Sequence, residues 1–342
     1  MTTIKVTTTS SHWPVERQIP STGGISEDVI FQVNNQIDRC DHWFIIEGLD
    51  RPTCINVPPE NVWFIAWEPS AIRTYNQKFL AQFNKVISPQ NILNHPCVIH
   101  KQPALQWMTG ARYSDGHWHS FKNFEFFRVC SPATKKDKIS VIVSNKRFSE
   151  GHRRRLAFVE KLKAAMPDQL DIFGTGINHV EDKWDATFDY KYSLVLENSR
   201  ELHYWSEKLS DAFLAWTLPI YYGAPNILEY FSCDSLLPID IEAETCIQRI
   251  QDALQNDHYA QHFEAIKKAR NQILHEYNLF PYMLAMIKEH SASNPQSYKG
   301  LNYETLIRPE ATFRPFLTQL KASSKAVAST IRQRIQGSLK GS

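Results

Sequence analysis

The chain has 342 residues, long enough for two domains. Its 42% hydrophobic and 22% charged content is that of an ordinary folded protein. A net charge of +2 gives no global basic field, which argues against nucleic acid as a partner. Six cysteines at 40, 54, 97, 130, 233 and 246 contain no C-x-x-C pair. They fit a reducing compartment and form no zinc-ligand pattern. The start, MTTIKVTTTSSHWP, lacks the apolar core of a secretory signal, and no run reaches the roughly 20 apolar residues of a membrane span. A cytoplasmic location is the expectation.

The first third alternates short strands with helical or irregular segments. TIKVTT (3–8), HWFIIEG (42–48), NVWFIAWE (61–68) and KVIS (85–88) are rich in β-branched and aromatic residues and read as strands. AIRTYNQKFLAQF (71–83) places Tyr75, Phe79, Leu80 and Phe83 near one face and predicts a helix. Residues 109–138 are turn-rich and then basic, and a domain boundary is set inside them, at 120.

From 139 the alternation is regular. ISVIVSN (139–145), LDIFG (170–174), YSLVLEN (192–198), LPIYYG (218–223) and SLLPID (235–240) read as buried strands. Helices are predicted over 150–166, 206–216 and, in two pieces, about 242–275. This pattern implies an α/β fold with a doubly wound parallel sheet. The expected division is 1–120, 121–310 and a tail, 311–342. The tail holds six Lys or Arg and no Asp or Glu, with Leu320, Val327, Ile331, Ile335 and Leu339 near one helical face. Two readings of it stay open: a helix lying on an anionic membrane surface, or one docked on the body.

Chemistry concentrates in LENSRELHYWSEKL (196–209), at the carboxyl end of a predicted parallel strand, where such sheets bind ligands. Ser206 is a plausible N-cap. Glu207 suits the helix dipole that follows, whereas Lys208 opposes it and suggests an anion nearby. Arg153, Arg154 and Arg155 open another helix with the same wrong sign, and one of them could fork onto a phosphate. Neither a P-loop nor a G-x-G-x-x-G is present, nor is a D-x-D for a divalent cation. His117 and His119 have H-x-H spacing without a third ligand. No metal site is expected.

The segment YKYSLVLENSRELHYWSEKLSDAFLAWTLPIYYG (190–223) resembles the signature of glycosyltransferase family 10, the α-1,3/4-fucosyltransferases. The spacing from Glu197 to Lys208 fits without a gap, and Ser206 replaces the usual Thr. VSNKRFSEGHRRRLAFVEKL resembles the family's Arg-led helix, with Arg155 in the phosphate-binding place. WFIAWEPSAI resembles its acceptor-domain E-S-P segment, here written E-P-S, which makes Glu68 the counterpart of the general base. The resemblance covers roughly 60–275. It implies two Rossmann-like domains facing a cleft (the GT-B type) and inverting transfer of fucose from GDP-fucose to a glycan hydroxyl. It also implies no required cofactor or metal. Carried over by position, Arg155, Glu197, Asn198, Tyr204, Glu207 and Lys208 would serve the donor. A bacterial surface polysaccharide is the expected kind of acceptor. The same scaffold with another nucleotide sugar, or a nucleotide- or glycan-binding protein without turnover, remain as alternatives.

Overall fold

The computed structural model describes residues 1–313 except 10–12, 22–24, 26, 105, 116, 146–149 and 291–301. The first unit contains β1 (Thr2–Thr8), β2 (Val29–Val33), β3 (His42–Ile46), β4 (Thr53–Ile55), β5 (Val62–Ile65), the short helix α1 (Gln77–Leu80), β6 (Lys85–Ser88) and β7 (Val98–His100). All but β4 form a parallel sheet in the order β2-β1-β3-β5-β6-β7. Strands β3 and β5 are buried along their whole length, as strands covered on both faces must be. The period of two divides their side chains. Trp43, Ile45, Val62 and Phe64 enter one core with Phe79 and Phe83, while Phe44, Ile46, Trp63 and Ile65 enter a second on the opposite face.

A hairpin of β8 (Ala111–Ser114) and β9 (His117–Phe121), then α2 (Phe124–Val129), connects the units. The second unit comprises β10 (Lys136–Ile142), α3 (Glu150–Ala165), β11 (Leu170–Phe173), β12 (Tyr190–Leu196), α4 (Glu207–Leu214), β13 (Leu218–Tyr222) and β14 (Leu237–Pro238). Helices α5 (Cys246–Gln255), α6 (His258–Gln261) and α7 (Phe263–His275) complete it. Its parallel sheet runs β11-β10-β12-β13-β14 over one continuous core.

The expected α/β architecture with two parallel sheets is therefore present. Two expectations change. The second unit does not run unbroken to 310. Helix α8 (Leu279–His290) sends Leu279, Phe280, Met283 and Met286 into the first unit's core, and β15 (Thr305–Ile307) pairs antiparallel with β4. The apolar face of α8 has its partner on the first sheet, so the chain crosses back near 279. The helix predicted over 71–83 shrinks to α1. Asn76 caps it, its Oδ1 accepting the Lys78 N–H at 2.9 Å, and residues just upstream are drawn into hydrogen bonds around Glu47. Of the tail expected over 311–342, all but 311–313 lies outside the described residues. No helix among the described residues is long and apolar enough to cross a membrane.

Candidate active site

In the second sheet β10 and β12 are neighbours whose chains leave in opposite directions, β10 toward β11 and β12 toward β13. A crevice must open above their carboxyl ends, because the connecting helices diverge to opposite faces there. The structure holds a cavity of about 310 Å³ at that place, lined by Ser144, Arg155, Gly174, Leu196, Lys208 and Asp211 among others. The sheet's edge is kept open by backbone alone at Gly174. Its φ is +130°, and a Cβ there would sit 1.8 Å from the Val143 carbonyl oxygen.

The crowded stretch after β12 folds into a closed set of ion pairs. Ser206 caps α4 with extended backbone, its Oγ accepting the Lys208 N–H at 3.4 Å. The Glu197 side chain is fully covered. It accepts the Ser206 N–H at 2.7 Å and the Ser206 hydroxyl at 2.8 Å, and Lys208 Nζ lies at 3.3 Å. Lys208 Nζ also reaches Glu207 at 3.4 Å and Ser206 Oγ at 2.8 Å. Lys183 meets Glu207 at 3.6 Å and Asp211 at 3.1 Å. Burial alone would raise the Glu207 carboxyl, yet Lys208, Lys183 and Ser206 hold it at about 2. Burial would lower Lys208, and Glu197 and Glu207 more than offset that and raise it.

Glu197, expected to contact a ligand, thus has its oxygens occupied within the protein. Its position makes it the brace of the strand-to-helix turn, and Gly223 leaves room for it, since a Cβ there would meet Glu197 Cγ at 2.7 Å. Tyr204 is likewise buried, and its hydroxyl donates to Asn198 Oδ1 at 3.0 Å. Asn198 remains partly exposed, as do Glu207 and Lys208. Helix α3 starts against this loop, and a Cβ on Gly151 would lie 2.2 Å from the Asn198 carbonyl oxygen.

Of the three arginines on α3, the structure turns Arg155 inward. Its Nη1 donates to the Leu196 carbonyl at 3.0 Å, while its buried Nε has no hydrogen-bond partner. An unpartnered guanidinium N–H beside a cavity is a donor awaiting an acceptor. Arg154 instead pairs with Glu150 at 2.6 Å and Glu242 at 3.3 Å. Arg155, Lys183 and Lys208 are balanced by Glu197, Glu207 and Asp211, so affinity for an anion here would come from aimed N–H donors rather than from net charge.

Glu68 arrives from the first unit, in the loop after β5. Burial raises its carboxyl from the usual range, Glu47 and then Glu207 push the same way, and Lys208 and Arg73 oppose them. Glu207 and Lys208 belong to the second unit, so Glu68 feels charges from both sides of the cleft. The same loop bridges directly, the Ser70 N–H donating to Glu201 Oε2 at 3.3 Å. Trp67 is buried in the core and not open to a ligand. His203, inside the signature segment, turns to the Tyr230 hydroxyl at 2.7 Å. His119 meets the Ser114 carbonyl at 3.1 Å. Among the described residues no three His, Cys, Asp or Glu side chains gather as a metal-binding group.

Several site residues carried no signal in the sequence. Asp211 Oδ1 accepts the N–H groups of Met108 and Thr109, both at 2.9 Å, and Asp182 accepts that of Gly110 at 2.7 Å. Arg17, buried, donates to the carbonyls of Trp107, Thr109 (2.9 Å) and Lys122 (2.7 Å). These residues lock the inter-unit connection to both domains, and their partners are backbone groups about 70 to 105 residues away, which no local pattern can encode.

The chain is similar to several known proteins. Residues 132–281 match the family description "Glycosyltransferase family 10 (fucosyltransferase) C-term". An α-(1,3)-fucosyltransferase of Helicobacter pylori is 33% identical over 61 residues, 18% of this chain and 13% of that protein. A fucosyltransferase-like protein of Arabidopsis thaliana is 29% identical over 128 residues, 36% of this chain and 24% of that protein. The matched stretches thus span under a quarter of either relative. The crystal structure of an α1,3-fucosyltransferase with GDP-fucose aligns over 86% of this chain and 91% of that one, at 15% identity and a TM-score of 0.45. The similarity to glycosyltransferase family 10 thus lies in residues 132–281, less than half of the chain.

Proposed function

We propose that the chain is an inverting glycosyltransferase that moves fucose from GDP-fucose to a hydroxyl of a glycan acceptor, with α-1,3-type linkage. The observation that carries this reading is the meeting of two groups in one cleft. The carboxyl of Glu68, from the first unit, lies within electrostatic reach of Glu207 and Lys208 at the start of α4, and Lys208 lines the switch-point cavity. The donor would occupy that cavity, with its diphosphate on Arg155 and Lys208. Asn198 and Glu207 offer polar atoms to its sugar hydroxyls. Glu197 and Tyr204 hold the loop that presents them.

In the reaction the acceptor oxygen attacks the anomeric carbon and the bond from that carbon to the β-phosphate oxygen breaks. The acceptor proton passes to the Glu68 carboxylate, and the bonding electrons leave with GDP. A raised carboxyl is the better base near neutral pH, and such catalysis contributes on the order of 10²–10⁴-fold. Arg155 and Lys208 would stabilise the charge that begins to develop on the β-phosphate in the transition state and is absent from the bound donor's ground state there. No metal is assigned a role in this reading. The tail over 311–342 is proposed to rest on an anionic membrane face, a point supported by its sequence and tested by salt-sensitive sedimentation with anionic vesicles.

Thermal stabilisation by nucleotides and nucleotide sugars tests the donor. A ligand at about 100 times its Kd adds roughly 2.7 kcal/mol to stability. GDP and GDP-fucose should raise the melting temperature and UDP-sugars should not. A different nucleotide sugar winning would remove fucose from the reading. Stabilisation by GDP-fucose without transfer to any glycan tested would leave a binding protein.

A further inference from the structure

The first unit contributes a second buried acid that the reaction does not consume. Glu47 follows β3 with φ +62°, a left-handed conformation uncommon outside glycine and kept where surroundings demand it. Its side chain is 9% exposed. Oε1 accepts the Trp67 N–H, the Glu68 N–H at 3.3 Å and the Tyr75 hydroxyl at 2.6 Å. Oε2 meets Arg73 Nη1 at 2.5 Å, and Arg73 Nη2 donates to the Glu47 carbonyl at 2.9 Å. On the other side Gln90 Nε2 donates to the carbonyls of Glu68 (2.7 Å) and Arg73 (3.0 Å). Both backbone polar groups of Glu68 are therefore pinned, one by Glu47 and one by Gln90. Only its side chain is left to answer the cleft.

We propose that Glu47 is the positioning residue for Glu68, fixing the turn that carries the base and tuning the base through its own charge. This rests on the reading of Glu68 as the base. A buried carboxylate serving only to tie a loop could be replaced by a neutral acceptor. This one also places negative charge beside Glu68, next after burial among the causes that raise it. The charges that act on Glu68 are those of Glu47 and Arg73 on its own side and Glu207 and Lys208 on α4, and Glu68 in turn acts on the hydroxyls of Tyr75 and Tyr204. Removing Glu47's charge should lower the pH at which Glu68 ionises, and removing Arg73's should raise it.

The test is the pH dependence of fucosyl transfer in the full chain carrying Glu47→Gln, Arg73→Met, Tyr75→Phe or Glu68→Gln. Retained stabilisation by GDP reports that the second unit is intact in each. Glu47→Gln should lower kcat on the order of ten- to a hundred-fold with donor KM unchanged, the scale of a displaced catalytic group. The acid limb of its kcat/KM profile should move to lower pH. Arg73→Met should move that limb to higher pH, and Tyr75→Phe should lower kcat with the limb in place. Loosened structure alone would not shift the limb in opposite directions. Limbs that coincide for wild type, Glu47→Gln and Arg73→Met, while Glu68→Gln is inactive, would overturn the positioning role and leave the base intact. Wild-type turnover in Glu68→Gln would remove the base itself and Glu47's role with it. Should Glu47→Gln fail to fold, wild-type kcat in Tyr75→Phe together with an unmoved limb in Arg73→Met would still overturn the proposal.

Discussion

The bond between Glu197 and Lys208 offers a sharp test of how the strand-to-helix turn is held. Lys208→Met removes the charge while keeping most of the side-chain volume. Breaking a buried pair by removing one partner costs about 3–5 kcal/mol. Here the remainder is partly served, since Glu197 keeps both Ser206 donors at 2.7 and 2.8 Å and Glu207 keeps Lys183 at 3.6 Å. A cost near 3 kcal/mol is expected. Glu197→Gln keeps an acceptor oxygen for Ser206 but loses the charge, a cost of about 1.5–3 kcal/mol for hydrogen bonds to an ionised group. Combined, the two should cost roughly 1–3 kcal/mol less than their sum, because each single variant already abolishes the same pairing. Urea unfolding, followed by fluorescence of the buried Trp205 and its neighbours, measures all three. Additivity within about 0.5 kcal/mol would refute the coupling and return Lys208 to the role of a free cation awaiting its ligand.

Other outcomes follow from the same geometry. Glu207 is held below its unfolded value of 4.5, at about 2, so its contribution to stability is present above pH 4.5 and is lost as pH falls from there toward 2. Acid unfolding of wild type and Glu207→Gln should converge over that window, and parallel curves would contradict it. Arg155→Lys removes the fork and the unpartnered Nε, and GDP affinity by calorimetry should fall about 10- to 100-fold, the worth of one or two charge-assisted bonds. Gly151→Ala drives a Cβ to 2.2 Å from the Asn198 carbonyl oxygen, so a lower melting temperature and weakened GDP binding are expected together. Unchanged binding would mean that the Asn198 loop does not shape the donor site.

The residues of the second unit were legible because their information is local. Parallel strands buried on both faces need continuous apolar runs, and such runs identified β10, β11, β12 and β13 to within a few residues. Ser206 and the acid after it announced the start of α4, and the misplaced sign of Lys208 drew attention to its surroundings. The structure keeps that clue but changes its first meaning. Lys208 is met by Glu197 and Glu207 before any ligand arrives, and Glu197 braces rather than presents.

What only the tertiary structure decided are the pairings across long stretches of chain. The apolar face of α8 looks the same in sequence whether it covers the second sheet or, as found, the first. Glu47 reads as the polar end of a strand until Trp67, Glu68, Arg73 and Tyr75 fold back onto it, 20 to 28 residues later. The helix expected over 71–83 yields for the same reason. Its apolar spacing is satisfied in the core, but hydrogen bonds to Glu47, Gln90 and Glu310 outbid its first turns. Period and capping are encoded within a few residues, because they depend on backbone geometry. A cleft is made where two sheets bring their carboxyl edges together, and that juxtaposition depends on which surfaces bury each other when the whole chain has folded.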